Sequence, residues 1–118
     1  MDDMRHERMH MEDYDIMDDA IDTMMEIYDE LDGSKGYIKK AMMVRDHDRS
    51  EADALRDMSA QELQHAENLR NNVTRMLANM HEAGHECYGV LHKVWTHISH
   101  RQMEYAAWIK QMHEQYKR

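Results

Sequence analysis

The chain of 118 residues contains no proline, no phenylalanine, only 4 glycines and a single cysteine. Without proline and glycine it lacks the turn residues that sandwiches and barrels need, which excludes an all-β fold. The lone Cys87 excludes an internal disulfide and is typical of a reducing cytoplasm. No apolar run approaches the length of a membrane span, and the opening Met1-Asp2-Asp3 does not resemble a signal peptide. We therefore expect one cytoplasmic domain without membrane contact.

The composition is dominated instead by straight-chain helix formers, with 14 methionines and 33% charged residues. Apolar residues recur at spacings of three and four, which predicts three long helices at about residues 11–45, 50–82 and 86–117. We expect residues 1–10 to be frayed or disordered. The fold prediction is all-α: a long antiparallel hairpin, a third long helix, and a single domain over residues 1–118.

Local signals mark the ends of these helices. Ser50 followed by Asp53 matches the capping pattern that opens a helix, and Gly84 is a natural stop for the second helix. Gly33 and Gly36 interrupt the first segment and could mark a turn. The apolar phase continues across them without a reset, so we expect one unbroken helix there.

Acidic residues are concentrated near the start of the chain. Residues 1–32 hold 13 acidic and 2 basic side chains, a net charge of -11, whereas the net charge of the whole chain is -9. A nucleic-acid partner is not expected, because phosphate contact needs a basic face. The acidic arm could attract cations or a basic protein partner, or it could simply be a solvated helix face.

The second helix carries a carboxylate where its apolar seam calls for an apolar residue. Glu62 falls between Leu55 and Leu69 in that seam, and a carboxylate buried there needs a cation, a proton or a metal. His65 follows three residues later, at the edge of the same face. Glu30 on the first helix lies at a comparable height if the hairpin bends near residues 46–50. A Glu paired with Arg or Lys from a neighbouring helix is the simpler alternative.

A family resemblance accompanies these positions. The stretch from Glu30 to Tyr37, followed by an Ala-x-x-Glu-x-x-His-Ala-x-x-Leu pattern that includes Glu62 and His65, resembles the first half of a ferritin-like domain. It is similar to rubrerythrins and encapsulated ferritins. The resemblance covers roughly residues 20–75 and implies iron ligation by Glu30, Glu62 and His65, with Tyr37 beside the ligands. It implies a di-iron site and a ferroxidase activity; manganese or zinc would also suit these ligands.

The chain departs from that family because it has no second Glu-x-x-His within its last long helix. The resemblance to encapsulated ferritins therefore implies that a homodimer or larger oligomer completes the site. The third helix offers His97, His100 and Glu104, of which His100 and Glu104 could share a ligand although they phase away from the apolar seam. Two alternatives stay open: a transition-metal module on this helix, and a non-enzymatic structural or interaction protein. The layout also resembles small phage-encoded helical proteins.

Overall fold

A computed structural model shows an all-helical chain. It describes the backbone of residues 2–118 and the side chains of residues 14–118. Helix α1 spans Asp2–Val44, α2 spans Arg49–Ala83 and α3 spans Tyr88–Lys117, and the described backbone contains no strand. The prediction of an all-α protein with three long helices is confirmed. Helix α1 begins at Asp2, ahead of the predicted start near residue 11.

Contacts between the helices show that they run up, down and up. Ser34 on α1 bonds to Ser59 on α2, while Glu30, earlier on α1, lies near His65, later on α2, so these two helices run antiparallel. Gln102 on α3 donates to the carbonyl oxygen of Met24, near the middle of α1, and Arg45 at the end of α1 donates to the carbonyl oxygen of Tyr116. Helix α3 therefore runs parallel to α1. The bundle is elongated, with extents of 70 × 19 × 16 Å.

Helix α1 is the central member, since it packs against both other helices while α2 and α3 touch each other least. It continues through Gly33 and Gly36 without a break, as its uninterrupted apolar phase predicts. The core that results is built from aliphatic side chains and methionines, with one tyrosine and one tryptophan from α3. Its members are Ala20, Met24, Ile27, Leu31, Ile38, Ala41, Ala52, Leu55, Ala66, Val73, Leu77, Met80, Leu91, Trp95, Ile109, Met112 and Tyr116.

The turn residues differ in part from the sequence prediction. Asp48, not Ser50, caps α2, because its side chain accepts a hydrogen bond from the backbone N–H of Glu51 at 3.0 Å. Gly84 ends α2 as predicted. It takes the left-handed conformation with φ of 73°, and its N–H closes the last turn. None of the helices in the described part of the chain combines the length and apolarity that crossing a bilayer requires.

Candidate metal centre

Three potential ligands from α1 and α2 meet near the middle of the hairpin. One ligand atom each from Glu30, Glu62 and His65 lies within 4.8 Å of the other two. Among the described residues this is the group of His, Cys and acidic side chains close enough to hold a metal ion. The antiparallel hairpin creates it: Glu30 precedes the bend on α1, while Glu62 and His65 follow it on α2. The structure thus brings together the three residues that the sequence singled out.

A pair of buried serines fixes the register that this meeting requires. Ser34 Oγ donates to the Ser59 carbonyl oxygen at 2.8 Å, and Ser59 Oγ donates to the Ser34 carbonyl oxygen at 2.7 Å. Both side chains are fully buried. Ser34 lies one turn after Glu30, and Ser59 lies one turn before Glu62. Because these reciprocal bonds lock the two helices together, the carboxylates one turn away stay at the same height.

The serine pair also ties α3 to the hairpin. His113 Nε2 lies 2.9 Å from Ser59 Oγ. When the Ser59 hydroxyl donates to the Ser34 carbonyl, the His113 tautomer with its proton on Nε2 donates to Ser59 Oγ. Burial, with Arg56 and Lys117 nearby, holds the pKa of His113 below its usual value. The imidazole therefore belongs to the packing of the three helices.

The electrostatics of the cluster favour an added cation. The hydrogen bond that a protonated Glu62 donates to Glu30 is the main cause that raises the pKa of Glu62, followed by burial and the like charge of Glu30; His65 acts in the opposite direction. With both carboxyl groups ionised that bond is lost, and Glu30 Oε2 is buried without a hydrogen-bond partner. His65 Nδ1 approaches it to 3.6 Å, which is beyond hydrogen-bond distance. Two carboxylates are thus held together without a cation among the described side chains close enough to neutralise both.

The position of Glu62 corrects one expectation. The seam of α2 predicted that Glu62 lies buried in its middle, but the structure places it partly exposed at the edge of the core. The buried face of α2 passes instead through Ser59, Ala66, Val73 and Leu77. The reason is that α3 packs on the opposite side of the hairpin, through contacts such as Tyr105 with Asp32, and leaves the side with Glu62 uncovered. The cluster consequently opens to solvent, and 57% of the His65 side chain is exposed.

The remaining predicted residues lie away from these three. Tyr37 is about two turns further along α1, where it packs against the edge of the core. On α3, His100 Nε2 and Glu104 Oε1 are 2.9 Å apart, and both side chains are mostly exposed. Helix α3 meets α1 through contacts such as Tyr105 with Asp32, on the side of α1 away from Glu30. The exposed pair therefore does not join the cluster within one chain.

The sequence analysis missed two polar residues between α2 and α3, namely Gln102 on α3 and the partly buried Arg70 on α2. Gln102 is fully buried and its Oε1 has no partner, although its Nε2 donates to Met24 O. Arg70 donates through Nη2 to Ser99, and its Nε is buried without a partner. Both residues line a cavity of about 340 Å³. Gln102 could have been found, because it occupies the seam position between Ile98 and Tyr105.

Comparison with protein-family models, curated proteins and solved structures gives no match to this chain. The family likeness therefore stays a prediction from the motif. The case for a metal site depends on the geometry of the cluster itself.

Proposed function

We propose that this protein binds a divalent transition metal ion through Glu30, Glu62 and His65. The observation that carries the proposal is the convergence of these ligand atoms within 4.8 Å, with Glu30 Oε2 buried and unpartnered. A cation there would satisfy that oxygen and remove the repulsion between the carboxylates. Two carboxylates with one imidazole suit iron, manganese or zinc.

The ligand set also supports a more specific role, that of a ferritin-like iron protein. Three protein ligands leave other coordination positions of the metal open. A site that admits water, dioxygen or a second metal needs such open positions. The open side of the cluster is the outer face of the α1–α2 hairpin, so a second copy packed on that face would bring three more ligands and make a di-iron site. Ferrous iron would then be the substrate, each ion losing one electron to dioxygen as in a ferroxidase.

Metal binding is tested by titrating protein purified without a polyhistidine tag with ferrous iron under anaerobic conditions, and with manganese and zinc. Binding heat is measured by calorimetry and stoichiometry by elemental analysis. We expect Glu62→Gln to abolish binding and His100→Gln, which alters the exposed pair on α3, to leave it unchanged. A wild-type chain that binds none of the three metals refutes the proposal. Loss of binding only in His100→Gln assigns the metal to α3 instead.

The iron chemistry and the assembly are tested separately. When ferrous iron and air are added, the wild-type protein should oxidise the iron faster than the Glu62→Gln variant does. Light scattering should show a dimer or larger species, both without metal and after metal is added. A strictly monomeric chain that binds metal would keep the metal-binding proposal and remove the shared di-iron site.

One observation favours a different role, that of a non-enzymatic helical interaction protein. The cavity of about 340 Å³ forms a groove between α2 and α3, in which apolar side chains such as Leu63, Ala106 and Ala107 lie beside the polar Arg70 and Gln102. Met103 in the same groove is 53% exposed, and Trp108 on α3 is 43% exposed. Large exposed apolar side chains next to a groove are typical of a surface that meets another protein. If no metal binds, this becomes the better account of the chain.

A further inference from the structure

Gly33 on α1 faces the carboxylate of Glu62. A Cβ atom added at Gly33 would lie 3.3 Å from Glu62 Oε2, 3.7 Å from its Cδ and 3.8 Å from its Cγ. The Glu62 side chain thus rests against bare helix backbone. Glycine is not required by the backbone here, because within the described residues only Gly84 has a positive φ. An interior helical glycine is unfavourable relative to alanine, so its presence calls for another reason.

We propose that Gly33 is a positioning residue of the metal site, and this inference rests on the proposed function. By lacking a Cβ it lets the Glu62 carboxylate approach α1 closely enough to share one cation with Glu30 and His65. Gly33 follows Glu30 by three residues, so it lies on the same side of α1 one turn nearer the hairpin bend. It does not contact the metal; it determines where one ligand stands.

The effect of a side chain at this position differs between the metal-free and the metal-bound protein. A contact of 3.3 Å is closer than the ordinary van der Waals distance between carbon and oxygen, so an alanine would push the carboxylate outward by a few tenths of an ångström. Without metal, the partly exposed Glu62 side chain can make that shift by a small rotation. With metal, it cannot, since ligand distances hold to about ±0.2 Å. The cost should therefore appear in metal affinity and not in folding.

Gly36 provides a matched control one turn further along the same helix. A Cβ atom added there would meet nothing within 4 Å. Both substitutions exchange an interior helical glycine for alanine, so both bring the same gain in helix propensity. Only the change at Gly33 reaches a metal ligand.

The experiment compares wild type, Gly33→Ala and Gly36→Ala. Each is titrated with Co²⁺ and with Zn²⁺, and the visible absorption of bound Co²⁺ reports the ligand geometry. We expect Gly33→Ala to bind about tenfold more weakly, the size of effect seen when support around a ligand is lost, and to shift the Co²⁺ spectrum. Gly36→Ala should match the wild type in both measurements. Without metal, both variants should melt at or above the wild-type temperature.

The outcomes separate this inference from the proposed function. If the wild type binds neither Co²⁺ nor Zn²⁺, the metal site itself fails. If the wild type binds and Gly33→Ala binds equally well with the same spectrum, the site stands and the role of Gly33 is refuted. Equal weakening in Gly33→Ala and Gly36→Ala would also overturn it, since the cause would then be the helix and not Glu62. A metal-free Gly33→Ala chain that melts well below wild type would show that Glu62 cannot yield, which contradicts the mechanism.

Discussion

Replacing Glu62 by glutamine isolates the charge of the cluster from its shape. Glutamine keeps the length of the side chain, and its amide can still donate to the Glu30 carboxylate. The ligand atoms lie within 4.8 Å, and at that separation two negative charges repel by about 3.5 kcal/mol at an effective dielectric of 20 and by about 0.9 kcal/mol in bulk water. Because the cluster is partly open to solvent, the lower part of this range applies. We expect metal-free Glu62→Gln to be more stable than wild type by about 1–2 kcal/mol at pH 7.

The pH dependence of the free energy of unfolding shows whether Glu62 repels Glu30. The pKa of Glu62 is raised in the folded chain, so between its ordinary value of 4.5 and the raised value the folded state binds more protons than the unfolded state. Stability from this group is complete below pH 4.5 and is lost as the pH rises through the folded pKa. His113, with a lowered pKa, acts in the opposite sense below 6.5, but it is present in both chains and cancels in the difference.

The assay is chemical denaturation of chelator-treated wild type and Glu62→Gln between pH 4 and 8. The advantage of glutamine should grow from near zero at pH 4 to its full value at pH 7, where it corresponds to roughly 4–8 °C in melting temperature. Glu67→Gln, an exposed change of the same charge on α2, should show no such gain. A destabilised Glu62→Gln at pH 7 would refute the reasoning, because it would mean that Glu62 is held by a protein cation. An equal gain at pH 4 and 7 would also refute it.

Two further predictions concern the framework that holds the site. Ser59→Ala removes the hydrogen bonds that Ser59 makes with the Ser34 carbonyl and with His113. It should lower the free energy of unfolding, measured in urea, by about 2 kcal/mol, against about 1 kcal/mol for Ser34→Ala. Equal losses would contradict the hydrogen-bond chain across the three helices. Gly84→Ala forces a side chain into a left-handed conformation with φ of 73° and should lower the free energy of unfolding by about 1 kcal/mol, whereas an unchanged melting temperature would contradict the cap assignment.

Much of the fold can be predicted from the spacing of apolar residues, because that spacing shows which face of each helix is buried. The apolar positions of α1 from Ala20 to Ala41 continue in phase through Gly33 and Gly36, and a helix without proline has no reason to stop there. The start of α2 was less predictable, since Ser50 and Asp48 are both good caps and only the backbone shows which one accepts the bond. Such competition between adjacent caps shifts a boundary by two residues without changing the helix.

The cluster was predictable for a different reason, namely the geometry of a hairpin. Glu30 and Glu62 lie at similar distances from the bend, so antiparallel packing places them at one height once the register is set. The register itself depends on Ser34 and Ser59, whose reciprocal bonds leave no sequence signal beyond two small residues in apolar seams. The edge position of Glu62 could not be predicted either, because it depends on which side of the hairpin α3 covers.

Because α3 packs on one side of the α1–α2 hairpin, the hairpin has two different surfaces, which the sequence alone does not distinguish. At about 100° per residue, His65 and Glu67 point to nearly opposite sides of α2: His65 belongs to the candidate metal centre, and Glu67 lines the groove beside α3. A dimer formed through the groove or through Trp108 on α3 would leave Glu30, Glu62 and His65 on its outside. Only a dimer through the outer face of α1 and α2 could bring two such clusters together. A shared di-iron site therefore needs the dimer that buries His65. In that dimer His65 should be protected from a histidine-directed reagent, whereas in a dimer formed through the groove or Trp108 it should stay reactive.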